Sequence, residues 1–305
     1  MTGYEALRES AAWIDLSGRG KIRLTGEDRA RLLHAMTTNQ IQALTPGQGC
    51  YTFFLSNQGR ILADANVLCE ESSLLLDTEP ETRERLFQHL DQFIIADDVT
   101  LEDATDSLAT IAIEGPKAPG VLAGLGSPVP EVEQSWQAWG DRSVLRAATT
   151  GPHGWLVFVP ADQKQSFIQS LDGLPHADAE AARAVRIENG VPRYGEEITE
   201  RYLLQETGQL RAVNFSKGCY LGQEIVERVR SRGQVHRHLK AVRLEGRVAP
   251  LPGVKLTADG KELAEVVSAA DSPGLNKIVA MAYVRTEAAR AGFKLKYGDA
   301  AAVVI

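Results

Sequence analysis

After residue 238 the chain stops reading as a mixture of helix and strand. Residues 239–244, 262–267, 277–283 and 300–305 are short β-type runs divided by glycines and prolines. Turn signals at that regularity predict a small β-barrel of about 70 residues at the C-terminal end. Upstream the pattern differs. Residues 4–13 read as a short helix, 21–24 as a strand, and a second helix follows Gly26, where Glu27 and Asp28 complement the positive end of its dipole. Residues 50–55 and 60–68 are two strands around Ser56-Asn57-Gln58-Gly59, a hairpin signal. Residues 74–76 add a strand, and Leu86, Leu90 and Phe93 mark one face of a helix over 82–93. Strand 107–113, helix 115–125, strands 143–148 and 155–159 and helix 162–171 then repeat the same make-up, which alternation alone leaves compatible with a βαβ unit. An alanine-rich helix over 177–188 and a Gly/Pro-punctuated stretch over 190–195 follow. Size alone suggests about two domains for 305 residues. The texture suggests three modules: 1–106, 107–236 and 237–305, of which the first two may interleave.

Lys and Arg total 33 against 40 Asp and Glu, a net charge of −7. That argues against a surface that coats nucleic acid but leaves room for a basic patch. Three cysteines, at 50, 69 and 219, form neither a disulfide framework nor a zinc or iron–sulfur spacing. Phosphate-binding glycine loops, His-Glu-x-x-His and Gly-x-Ser-x-Gly are absent from the sequence. His236 and His238 alone make a weak metal pair, and no metal is expected. The acidic opening residues fit neither a signal nor a transit peptide, and no apolar run approaches the roughly 18 residues of a membrane span. A cytoplasmic protein without a membrane partner is the expectation.

One segment stands apart: Lys217-Gly218-Cys219-Tyr220-Leu221-Gly222-Gln223-Glu224, with Arg228 beyond it. Gly218 suggests a backbone turn closed to other residues, with a helix starting just after it. A thiol there, beside Lys217 and a helix N-terminus, favours thiolate, so Cys219 is the candidate reactive cysteine. A buried structural thiol is an equally good reading of the same residues. Glu224 and Arg228 are spaced for a helical ion pair. Arg228, Arg230, Arg232, His236, Arg237, His238 and Lys240 form a basic strip, which is either a site for an anionic partner or a solvated face.

The octapeptide with Arg228 resembles the signature of the YgfZ-type folate-binding proteins, iron–sulfur assembly factors within the wider superfamily of glycine-cleavage aminomethyltransferases. The resemblance extends to Arg186-Ile187-Glu188-Asn189-Gly190-Val191-Pro192-Arg193-Tyr194-Gly195 and to Gly59-Arg60-Ile61 with Asp64. It covers most of residues 20–240. Two departures stand out. Aminomethyltransferases carry two adjacent aspartates where this chain has Ala63 and a single Asp64, and Leu204-Gln205 stands where prolines are usual.

The resemblance implies an α+β fold of the aminomethyltransferase type: two α+β modules plus a C-terminal β-barrel around a central channel that binds tetrahydrofolate or a derivative. Glu188 would accept from the pterin, Arg228 would pair with the glutamyl tail, and Tyr51 and Tyr194 would supply flat walls, with Lys217, Gln223 and Glu224 close by. Cys219 would be the functional thiol, and Asp64 the catalytic carboxylate if there is one. The implied role is an accessory protein for iron–sulfur cluster assembly or repair, its partners being iron–sulfur proteins or assembly factors and, indirectly, tRNA-modifying enzymes. The other expectation is a tetrahydrofolate-dependent aminomethyltransferase or demethylase-type enzyme.

Overall fold

A computed structural model of the chain describes residues 1–233, 235–246 and 248–305. Its first sheet contains β2 (Gly20–Thr25), β3 (Gly49–Leu55), β4 (Ile61–Cys69), β5 (Leu74–Thr78) and β6 (Thr100–Asp103), in the order β3-β4-β5-β2-β6. A second sheet contains β1 (Ala12–Asp15), β7 (Leu108–Glu114), β8 (Trp136–Trp139), β9 (Arg142–Leu145) and β10 (Gly154–Pro160), in the order β1-β7-β10-β9-β8. Every ladder described is antiparallel, so the repeated strands and helices are hairpin-built layers and not βαβ units.

Alternation along the strands gives each sheet two faces. On the first, Val67, Leu74 and Leu76 pack with Leu32, Leu33 and Met36 of α2 (Arg29–Met36) and with Leu86 and Leu90 of α3 (Arg83–Asp91). Leu68 and Leu75 point the other way, into a core shared with Ala112, Leu156 and Phe158 of the second sheet. The second sheet's outer face, Ile111, Ile113 and Val157, is covered by α4 (Ala118–Gly124) and α5 (Lys164–Ser170). The two sheets thus stack face to face with helices outside. Between them, at one edge, lie α1 (Gly3–Glu9) and α6 (Ala179–Glu188).

The C-terminal module is a closed barrel in the order β11-β14-β13-β12-β15-β16, with β11 (Arg237–Leu244), β12 (Lys255–Ala258), β13 (Lys261–Ser272), β14 (Lys277–Arg285), β15 (Lys294–Tyr297) and β16 (Ala300–Val304). Pairing of β11 with β16 closes it. Before it runs α7 (Gln223–Arg232). No described helix is long and apolar enough to cross a membrane.

Several expectations need correction. The first helix ends at Glu9, and Trp13 lies in β1, because Ala12 and Ile14 alternate into the inter-sheet core while pairing with β7. That pairing carries the N-terminus across the expected 106/107 boundary into the second sheet. Phe93 lies beyond α3 and is exposed. The last helix begins at Gln223, four residues after Cys219. Strands β6, β8, β12 and β15 were not foreseen.

Candidate functional site

The inter-sheet face of β4 and β5 changes character along its length. The ladder pairs Leu68 with Leu75, then Asn66 with Asp77, then Ala65 with Thr78. The ladder ends there, with Asp64 next along β4 and Glu79 the residue just past β5. An apolar pair is therefore followed by a polar quartet. Arg19, ahead of β2, sits over it, its Nε donating to both Asp77 oxygens at 3.0 Å and its guanidinium pairing with Glu79. Asn66 Nδ2 donates to Asp77 Oδ2 at 3.1 Å, and Arg193 Nε pairs with Glu79 Oε2 at 2.9 Å.

Over this quartet opens a cavity of about 570 Å³, within the range of small-molecule sites. Residues 148–150, the Ala182, Arg183 and Arg186 face of α6, segment 191–193 with Glu196, and Arg211 wall it. Each wall is fastened. Glu114, at the end of β7, is fully buried and accepts from Thr149 N and Oγ1 at 2.7 Å each and from Thr150 N at 2.8 Å and its hydroxyl. Burial raises its pKa, and those donors oppose the rise. Arg186 donates to Val191 O and Glu197 Oε2, both at 2.7 Å, wrapping the loop round the end of α6.

Asp64 is the chemically distinctive group. It is 6% exposed, its Oδ2 accepts from Tyr51 Oη at 2.6 Å, and its Oδ1 has no hydrogen-bond partner among the described residues. Burial first, and the charge of Glu79 second, push its carboxyl up to about 6, against the pull of Tyr51, Arg19 and Arg193. Tyr51 is held well above the usual phenol range by burial and then by Asp64. Arg211 lies over its ring at 4.8 Å and pairs with Glu133 at 3.1 Å.

Of the residues singled out in the sequence, the structure brings Tyr51 and Asp64 together here and places the others elsewhere. Glu188 ends α6 two residues after Arg186, on another side of the helix. There it accepts from Tyr4 Oη and pairs with Arg8 Nε at 3.1 Å, away from the cavity. Tyr194 is core, packed with Phe53 and Ile61 and donating to Ile61 O at 3.3 Å. Lys217 is buried, and its Nζ donates to the carbonyls of His34, Thr37 and Asn39 at 2.6, 2.7 and 2.6 Å. It caps the carbonyl end of α2 and does not serve Cys219. Burial lowers its pKa to about 8.

Gly222, and not Gly218, is the glycine in the left-handed region, at φ +81°. Cys219 is exposed, while Cys50 is buried. Gln223 opens α7, and Glu224 and Arg228 are exposed on it. The ion pair described on that helix joins Glu227 to Arg230 at 3.5 Å. The basic strip divides between α7 and β11, and Arg237 is committed to Glu206 at 2.8 Å. Missed in the sequence were Arg19, Glu79, Arg186, Arg193 and Glu196. The available signal was the polar alternation Asp64-x-Asn66 and Asp77-x-Glu79 inside strands otherwise apolar.

Two stacked antiparallel sheets with a polar cavity between them and a closed barrel behind define a class. The sequence model of the GCVT N-terminal domain matches residues 2–217, and that of the glycine cleavage T-protein C-terminal barrel domain matches residues 237–301. The chain belongs to this aminomethyltransferase superfamily. An aminomethyltransferase of Streptomyces coelicolor is 30% identical over 92% of this chain and 80% of its own length. Another, from Nostoc sp., is 28% identical over 96% and 82%. The crystal structure of glycine cleavage system aminomethyltransferase T from Bartonella henselae shares the fold, with a TM-score of 0.89 over 99% of this chain and 87% of that one at 21% identity.

Proposed function

We propose that the inter-sheet cavity binds a tetrahydrofolate and that the protein handles a one-carbon unit there, as a folate-dependent transferase of the aminomethyltransferase class. The observation that carries this reading is Asp64: a carboxyl buried in a ligand-sized cavity, with one oxygen held by Tyr51 and the other left without a partner. The donor set suits the ligand. A folate is an aromatic heterocycle with an anionic tail, and the cavity has Tyr51 on one wall and guanidinium groups on the others. When bound, tetrahydrofolate supplies nitrogens that accept a one-carbon unit. The chain supplies the proton handling. Tyr51 fixes Oδ2, Oδ1 has no partner among the described residues, and a carboxyl raised to about 6 can give or take a proton near neutrality. Tetrahydrofolate titration with Asp64→Asn alongside the wild type tests this. Both proteins should bind, and only the wild type should turn over an aminomethyl-carrier or dimethylglycine-type donor. Absence of binding by the wild type overturns the reading.

One observation favours a second reading, an accessory role in iron–sulfur cluster assembly of the YgfZ type. The octapeptide leaves Cys219 exposed on the surface while the residues around it are tied down. A single thiol cannot hold a cluster alone, so a partner would share it. Cys219→Ser should then fail to restore iron–sulfur enzyme activity to a strain lacking the protein under oxidative stress, and full rescue would remove the thiol from the mechanism. Folate binding without turnover would favour this role over the transferase.

A further inference from the structure

The quartet on β4 and β5 contains more acid than the one-carbon reading uses. Asp64 precedes and Glu79 follows the last ladder pair, Ala65 with Thr78, so the two acids are neighbours at the open end of the β4–β5 ladder. Both line the cavity. Ala63, the residue before Asp64 on β4, points to the opposite face and is buried in the helix-side core. A carboxylate at 63 would not reach the cavity, whereas one at 79 does.

Glu79 is also held firmly. Its two oxygens are taken by different guanidiniums, Arg19 from ahead of β2 and Arg193 from the loop after α6. Asp77 fixes the other edge of Arg19, and Asn66 in turn holds Asp77. Two arginines hold the Glu79 carboxylate in place, while Asp64 has a phenol for its only partner and one oxygen without a partner among the described residues. The charged and titratable groups facing Asp64 are Tyr51 from β3, Asp77 and Glu79 from β5 and its end, Arg19, Arg193, and Arg211 over Tyr51.

We propose that Glu79 is the positioning residue that makes Asp64 the proton carrier of the cavity: held by Arg19 and Arg193 beside Asp64 at the end of the ladder, it opposes ionisation of Asp64 and keeps the proton there. Its use in catalysis rests on the one-carbon reading, but the charge relation does not. The direction of the Asp64 shift, with Glu79 as the leading charge behind it, agrees.

The test is a carboxyl carbon-13 NMR titration of the full chain without folate, with the Asp64 signal assigned by its loss in Asp64→Asn. The expected wild-type midpoint is about 6. Glu79→Gln should lower it by about one pH unit, and Glu79→Asp, which keeps the charge, should leave it raised. Glu79→Ala, which also removes the charge, should lower the midpoint and serves if Glu79→Gln does not fold. A wild-type midpoint near the ordinary aspartate value of about 4, or one that Glu79→Gln or Glu79→Ala leaves unmoved, overturns the proposal. Because no folate is present, this failure is separate from failure of tetrahydrofolate to bind.

Discussion

Asp64 is placed where function and stability oppose each other. Its folded-state pKa of about 6 lies above the unfolded value of about 3.9, so between those limits the folded chain holds more protons than the unfolded one. Stability then falls as pH rises through that window and stays lowered above it. Asp64→Asn removes the titrating group. Its unfolding free energy from urea titration should match the wild type near pH 4 and exceed it at pH 8 by an amount on the order of 1–3 kcal/mol. A variant equally stable or weaker at pH 8 would show that burial does not penalise the carboxylate. Lys217 behaves oppositely. Its ammonium satisfies three carbonyls at the end of α2, so Lys217→Met should cost about 2–4 kcal/mol, visible as a lower urea midpoint with an unchanged slope. At this scale the sequence showed residue types but not directions. Tyr51 and Asp64 were legible because motif and burial agree there. Lys217 was not, because nothing local tells a lysine beside a cysteine from one capping a helix some 180 residues earlier.

At the scale of elements, the octapeptide is a staple. Lys217 caps α2, Leu221 N donates to Ala35 O at 2.9 Å, Tyr220 enters the core around Phe53 and Ile61, and Gly222 brings the start of α7 against the β3–β4 hairpin. A Cβ on Gly222 would meet Ser56 O at 2.6 Å, whereas one on Gly218 would meet nothing within 4 Å. Gly222→Ala should therefore lower stability by about 1–3 kcal/mol, the left-handed penalty plus the collision, and Gly218→Ala by less than about 0.5 kcal/mol. Equal losses in thermal unfolding would refute the staple. The hairpin itself was legible from Ser56 to Gly59, and the barrel from its turns. Strands β6, β8, β12 and β15 were not, each being only four residues long and bearing mostly partly exposed or exposed side chains.

For the molecule as a whole, chain order and spatial order diverge at the N-terminus. β1 pairs with a strand almost a hundred residues later, and α1 packs on α6, so the first sixteen residues complete the second layer. No local signal could place that boundary, because the partner edge exists only once β7 and β10 have paired. Glu188 is the fastening point. It ends α6, takes Tyr4 Oη and Arg8 from α1, and Tyr4 Oη in turn accepts from Gly274 N at 2.9 Å in the turn between β13 and β14. Three separate parts of the chain meet on one carboxylate whose side chain is 7% exposed. Glu188→Ala should cost about 1–3 kcal/mol, because Tyr4 and the partly exposed Arg8 both lose a nearly buried acceptor, and should raise proteolytic cleavage near the N-terminus. Tetrahydrofolate affinity, measured well below the variant's melting temperature, should change less than about twofold, since Glu188 faces away from the cavity. A tenfold loss of affinity without loss of stability would instead put Glu188 on the ligand, where family resemblance alone would have placed it, and would require the end of α6 to turn when folate enters.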